Sequence, residues 1–116
     1  MTAPEVVNMS EKGEGLYYVR VHQIDGKVLV AVCDEEILGK EFRKGDIVLS
    51  ISSEFYKGER ADLKRVIELI LESDIAVITG KRIVRELIKA GLAVPEAVLE
   101  ISDQLHVQIV KSVYRV

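Results

Sequence analysis

Between Leu63 and Gly91 the chain reads LKRVIELILESDIAVITGKRIVRELIKAG, and this stretch narrows the fold more than any other. The apolar run DIAVIT stands between two segments whose apolar residues recur at helical spacing: Leu63, Val66, Ile67 and Ile70 before it, Ile83, Val84, Leu87 and Ile88 after it. Spacing of i, i+3, i+4, i+7 lines one face of a helix, whereas a short run apolar on both sides is a strand covered above and below. Two helices with one apolar stripe each must bury it against something, and the strand between them belongs to the sheet that provides it. Asp62 is placed to cap the first helix and Gly91 to end the second.

The earlier part of the chain adds strands. LYYVRVHQI alternates Tyr17, Val19 and Val21 against Tyr18, Arg20 and His22, and Asp25-Gly26 then offers a two-residue primed turn. KVLVAVC, apolar on both faces, reads as an interior strand paired with the first. DEEILGKEF predicts a short helix or turn capped by Asp34, RKGD a second turn, Ile47–Ser52 a third strand and SEFYKGERA a polar loop. Pro95 and Glu96 open a last helical turn, and HVQIVKSVYRV alternates as a terminal strand that needs a partner or protection. Ile47–Ser52 and Ile75–Thr79, joined by a helix, should form a parallel βαβ unit. The expected fold is α/β: a mixed β-sheet with an N-terminal β-hairpin and a βαβ unit, helices packed on the sheet. It occupies a single domain over residues 16–116, preceded by a mobile arm at 1–15.

A chain of 116 residues suits one domain with one proper core. The single cysteine, Cys33, excludes an internal disulfide framework and a cysteine-based zinc site, and it fits a reducing compartment. The first fifteen residues lack the basic and apolar regions of a secretory signal. The longest unbroken apolar stretch, Val28 to Cys33, is far short of the ~20 residues that span a bilayer. A cytoplasmic protein without a membrane partner is expected. With 30% charged residues and a net charge of only -3, any basic patch must be local. One Asn, three Gln and no Trp beside abundant Glu, Lys and Arg resemble a heat-adapted composition.

Ligands of parallel sheets collect beyond the carboxyl ends of the strands, which singles out Ser52 and Ser53 after one strand and Thr79, Gly80, Lys81 and Arg82 after another. Free amides at Gly80 and Lys81 could hold an oxyanion, with Lys81 or Arg82 supplying charge, and this would explain cations at a helix start, where the dipole disfavours them. The alternative is structural: Thr79 caps, Gly80 eases the turn and Arg82 pairs with Glu86. The phosphate-binding pattern G-x-x-x-x-G-K-[ST] is absent. The outer face of this helix carries Lys81, Arg82, Arg85 and Lys89 against Glu86 alone, an excess of three positive charges, which suits either nucleic-acid phosphates or solvent. In EFYKGER, Phe55 and Tyr56 could stack on a base while Lys57 and Arg60 meet phosphate, or the aromatics could fold back over the core. The carboxylates of Asp34, Glu35 and Glu36 could hold a hard cation, though helix capping explains them as well. Neither His22 nor His106 has a neighbour at metal-ligand spacing, and no serine lies in a nucleophile elbow, so neither a metal, a cofactor nor a catalytic residue is assigned.

The segments YYVRVHQIDGKVLVAVCDEEILGKEF, GDIVLSISSEFYKGE and DIAVITGKRIV together resemble an archaeal family known only as a domain of unknown function, numbered 424. The resemblance runs from Tyr17 to about Val110 and implies a small cytoplasmic protein of archaeal type. It carries no activity, cofactor or catalytic residue onto this chain. The function expected from the residues is a noncatalytic binding module or accessory factor for RNA or a ribonucleoprotein. The alternative is a small enzyme or sensor for a phosphorylated or carboxylated metabolite at the strand ends. A homodimer hiding one sheet edge is a further expectation.

Overall fold

The computed structural model describes residues 16–111; the arm expected over 1–15 and residues 112–116 lie outside the described residues. The chain runs through β1 (Tyr17–Ile24), β2 (Lys27–Asp34), a 3-10 turn (Glu35–Ile37), β3 (Glu41–Lys44), β4 (Ile47–Ser50) and the one-turn helix α1 (Ser53–Tyr56). It continues through β5 (Glu59–Ala61), α2 (Leu63–Glu72), β6 (Ile75–Thr79), α3 (Lys81–Lys89), a second 3-10 turn (Pro95–Ala97), β7 (Leu99–Ile101) and β8 (Gln104–Val110). Six strands form one sheet in the order β5-β1-β2-β6-β8-β7, with β2 and β6 parallel and all other neighbours antiparallel. The architecture is α/β, as expected.

The β1–β2 hairpin forms because Asp25 and Gly26 both take positive φ, 50° and 78°, matching the twist of the strands they join. α2 starts on Asp62, whose side chain accepts from the Arg65 amide at 3.0 Å. α3 stops where Gly91 turns left-handed, its amide bonded to Ile88 O and that of Leu92 to Leu87 O. Both helices sink the apolar stripe read from the sequence, with Val66 and Ile70 of α2 and Ile83, Val84 and Leu87 of α3 buried.

Three expectations need correction. The strand at Ile47–Ser52 does not join Ile75–Thr79; among the described residues β4 pairs only with β3, in a separate two-stranded ribbon, and the parallel neighbour of β6 is β2. The reason is local: the tight turn at Gly45 returns β4 onto the segment before it, and Ile47 and Val48, each 46% exposed, do not supply the second apolar face of an interior strand. The polar loop at 53–61 is instead α1, capped by the Ser52 hydroxyl accepting from the Phe55 amide, followed by edge strand β5. The terminal strand β8 lies between β6 and β7, so the sheet edges are the three-residue strands β5 and β7, short enough to be poor templates for aggregation.

The sheet has two unlike faces. α2 and α3 cover one, burying Val19, Val30, Val32, Ala76, Ile78 and Val107 in the larger core. α1 and the ribbon cover the other, where Ala31, Cys33, Ile37, Ile51 and Tyr56 form a smaller cluster. The ribbon leaves the end of β2 and Lys44 near its tip donates to Glu100 O of β7 at 3.3 Å, so it spans the sheet to the far edge. Among the described residues no helix is long and apolar enough to cross a membrane.

Candidate functional site

Beyond the carboxyl ends of β2 and β6, the centre is Asp34, fully buried at the last position of β2. Its two carboxylate oxygens accept from the amides of Arg82 and Ile83, both at 2.9 Å. The Lys81 amide donates to Gln104 Oε1 at 3.3 Å and the Gly80 amide to Leu105 O at 2.8 Å. Four successive N–H groups at the start of α3 are therefore satisfied by the protein itself, and the oxyanion site expected at Thr79, Gly80, Lys81 and Arg82 has no free amide to offer. Gly80 is required twice over. Its φ is 134°, and a Cβ there would stand 2.4 Å from Asp34 Cγ.

Asp34 also resolves why cations follow Gly80. The positive end of the helix faces a buried carboxylate, which favours it, and the lysine and arginine offset the remaining negative charge around the junction. Burial pushes the Asp34 carboxyl up, against the pull of the Arg82 and Ile83 amides. Lys81 Nζ lies 3.6 Å from Asp103, and Arg82 forms a two-pronged bond to Glu36 at 2.8 Å on each prong. Arg82 also donates to Leu16 O and lies over the Tyr17 ring, 4.8 Å from its centroid. This bond holds the Glu36 carboxyl below its ordinary value and raises the guanidinium. Glu86, expected to pair with Arg82, pairs with Lys89 at 3.6 Å instead.

The acidic run 34–36 is dispersed rather than convergent: Asp34 caps α3, Glu35 binds Arg60 at 2.6 Å and Glu36 binds Arg82. No cluster able to hold a metal ion occurs among the described residues. Thr79 is not the cap of α3; its hydroxyl sits 3.0 Å from the Tyr56 hydroxyl and 2.8 Å from His106 Nδ1. The Ser52 hydroxyl is committed to α1, and Ser53 stands exposed beside it.

The two halves of the expected partner surface separate. Phe55 and Tyr56 fold back onto the ribbon face: Phe55 stacks on His22 with centroids 4.9 Å apart, and Tyr56 is buried. Neither ring is free to take a base. Lys57 is exposed and Arg60 is paired with Glu35. Lys81, Arg82, Arg85 and Lys89 belong to α3, on the other side of the sheet. There Tyr17, Arg82, Arg85, Glu86 and Lys89 line a groove of about 380 Å³. Among the described residues Arg85 makes no ion pair, so the groove joins one uncommitted guanidinium to two further cations, Arg82 and Lys89, whose charge is partly balanced.

Sequence reasoning missed Asp34 as the cap of a helix 48 residues away, Tyr17 as a wall of the groove, and the Tyr56, Thr79 and His106 chain. One signal was readable. A glycine followed by cations at a helix start calls for an anion, and an aspartate ending an interior strand is the nearest internal candidate.

Over residues 22–112 the chain matches the model of a family described as "Protein of unknown function (DUF424)", and it belongs to that family. No curated protein matches it. The crystal structure of an uncharacterized conserved protein from Methanopyrus kandleri is similar, with a TM-score of 0.64 and 25% identity, covering 86% of this chain and 97% of that one.

Proposed function

With family membership as the premise, and no activity to carry over from it, we propose that this protein is a noncatalytic, cytoplasmic RNA-binding module of archaeal type that holds phosphates in the groove between Tyr17 and α3. The observation that carries the reading is the meeting of Arg82, Arg85 and Lys89 with Glu86 alone in one groove of a chain whose net charge is -3. Arg82 is fixed in place by Glu36 and the Tyr17 ring, so its ordering cost is already met before a ligand arrives. Guanidinium groups suit phosphate because their planar donors match its oxygens. Tyr17 is buried and offers no stacking surface, so contact is to the backbone of the RNA and carries little sequence preference.

The test is a titration of a short single-stranded RNA followed by fluorescence anisotropy at several salt concentrations. Three cations give an expected slope of about -2 in log K against log salt, and Arg85→Glu reduces it by about 1. Salt-independent binding, or equal binding of an acidic peptide of the same charge, rejects the reading.

A second reading rests on the groove's size. A volume of about 380 Å³ lies in the range of small-ligand pockets, so a phosphorylated or carboxylated metabolite is the alternative occupant. A mononucleotide that binds as tightly as the RNA would select it. Homodimer formation is a separate proposal, supported by β1, whose outer edge beyond Val19 faces no strand among the described residues. Sedimentation tests it.

A further inference from the structure

The chain has two histidines, and both hold α1. His22 Nε2 lies 2.8 Å from Phe55 O. His106 reaches the helix through Thr79, whose hydroxyl bridges His106 Nδ1 and the Tyr56 hydroxyl. The directions of these hydrogens follow from what each atom can do. A carbonyl only accepts, so His22 donates through Nε2 whether it is neutral or protonated. The Tyr56 hydroxyl is buried, and Thr79 is its hydrogen-bond partner among the described residues; leaving a buried donor unused is costly, so the phenol donates to Thr79 Oγ1. Thr79 then donates to His106 Nδ1, which leaves the imidazole hydrogen on Nε2; the Gln108 amide nitrogen, 3.3 Å from Nε2, cannot accept it, so the exposed Gln108 amide must turn its oxygen to the ring or leave that hydrogen to solvent.

Protonation of His106 adds a hydrogen to Nδ1. Thr79 Oγ1 could still accept from both sides, but its own hydrogen would have no acceptor in a fully buried position. We propose that protonation of His106 unlatches Tyr56, and with it α1, from the sheet, while His22 keeps its hold on Phe55. The latch opens an acid-sensitive way to the ribbon-face core and to Cys33, which lies fully buried beneath it.

The surroundings of the imidazole leave its protonation to this chain alone. β6 presents Thr79, β2 the neutral Cys33 paired beside Thr79, α1 Tyr56, β7 Leu99, and β8 itself Gln108. Nearby charges are committed elsewhere: Lys44 to Glu100 O and Asp103 to Lys81, while the Glu100 side chain lies across from Leu105 on the opposite face. Burial holds the imidazole below its ordinary value of 6.5. A group lowered in the closed form supports that form fully above its ordinary value, and the support is lost as pH falls through the lowered one.

Cys33 is the reporter, since it is the single cysteine. Its labelling by dithiodipyridine, which reacts in acid, is measured relative to the unfolded chain between about pH 7.5 and pH 5. Low urea is included to separate local opening from global unfolding. Wild type should label about tenfold faster in acid, independent of low urea. His106→Asn, which places a non-titrating acceptor near Nδ1, should show no such rise, and His22→Gln should keep it. The inference is overturned if His106→Asn accelerates as wild type does, if His22→Gln abolishes the rise, or if labelling follows urea as global unfolding does. Imidazole nitrogen shifts in wild type give a reading that needs no variant. An Nε2–H tautomer titrating below 6.5 supports the latch, and an Nδ1–H tautomer or a raised value overturns it.

Discussion

The two faces of the sheet are closed by different means. On the helical face, two amphipathic helices place a continuous apolar stripe against alternate residues of the central strands, and the larger core results. On the ribbon face, a four-residue helix and a two-stranded ribbon cover a smaller cluster and depend on single polar contacts such as Tyr56 to Thr79 and Lys44 to Glu100. Periodic burial spreads stability over many side chains, whereas coverage by short pieces concentrates it in a few bonds. The face with the redundant core also presents the basic groove, which can therefore carry unbalanced charge without endangering the fold.

The largest effect that could break this contrast is a cavity on each face. Leu87→Ala should cost about 3 kcal/mol in urea denaturation and Leu49→Ala, only partly buried, about 1 kcal/mol. Equal costs would erase the distinction. Next comes the junction between the faces: Asp34→Ala strands two amide donors at the start of α3 and should cost about 2 kcal/mol. Gly80→Ala should cost about as much through its backbone conformation and the clash with Asp34. The double variant should cost less than the sum, because removing the carboxylate relieves the clash, and strict additivity would deny the coupling. The smallest effect is on the surface. Arg82→Gln should change stability by about 0.5 kcal/mol at neutral pH. Glu36 is lowered by Arg82, so its contribution is present above the ordinary carboxylate value of 4.5 and fades as pH falls through the lower one. The variant should lack that part of the acid slope.

What the sequence made legible follows the same division. α2, β6 and α3 could be read because a stripe repeating over several turns is visible in one window of sequence. The hairpin could be read because Asp25-Gly26 has few other uses. Ile47–Ser52 and Ile75–Thr79 look like neighbours because a helix joins two apolar runs, but β2, apolar on both faces, is the stronger claimant to the interior. Capping is ordinarily local, which points Asp34 to the turn beside it, yet the parallel pairing of β2 with β6 brings its carboxylate to a helix far along the chain. Thr79, Tyr56 and His106 share no spacing rule, and only the register of β6 with β8 and the fold-back of α1 unite them. The basic stripe of α3 was visible; that Arg82 would be held by Glu36 and Tyr17, leaving Arg85 free among the described residues, depended on the tertiary fold.

The most direct test of function sets one face against the other in the same RNA titration. Arg85→Glu with Lys89→Glu reverses charge in the groove, and Lys57→Glu with Arg60→Glu does so around α1. The groove pair should weaken binding at least about tenfold at low salt, and the α1 pair should leave it within about twofold. The reverse order, with binding lost from the α1 side and kept by the groove pair, would contradict the assignment of the groove as the interface.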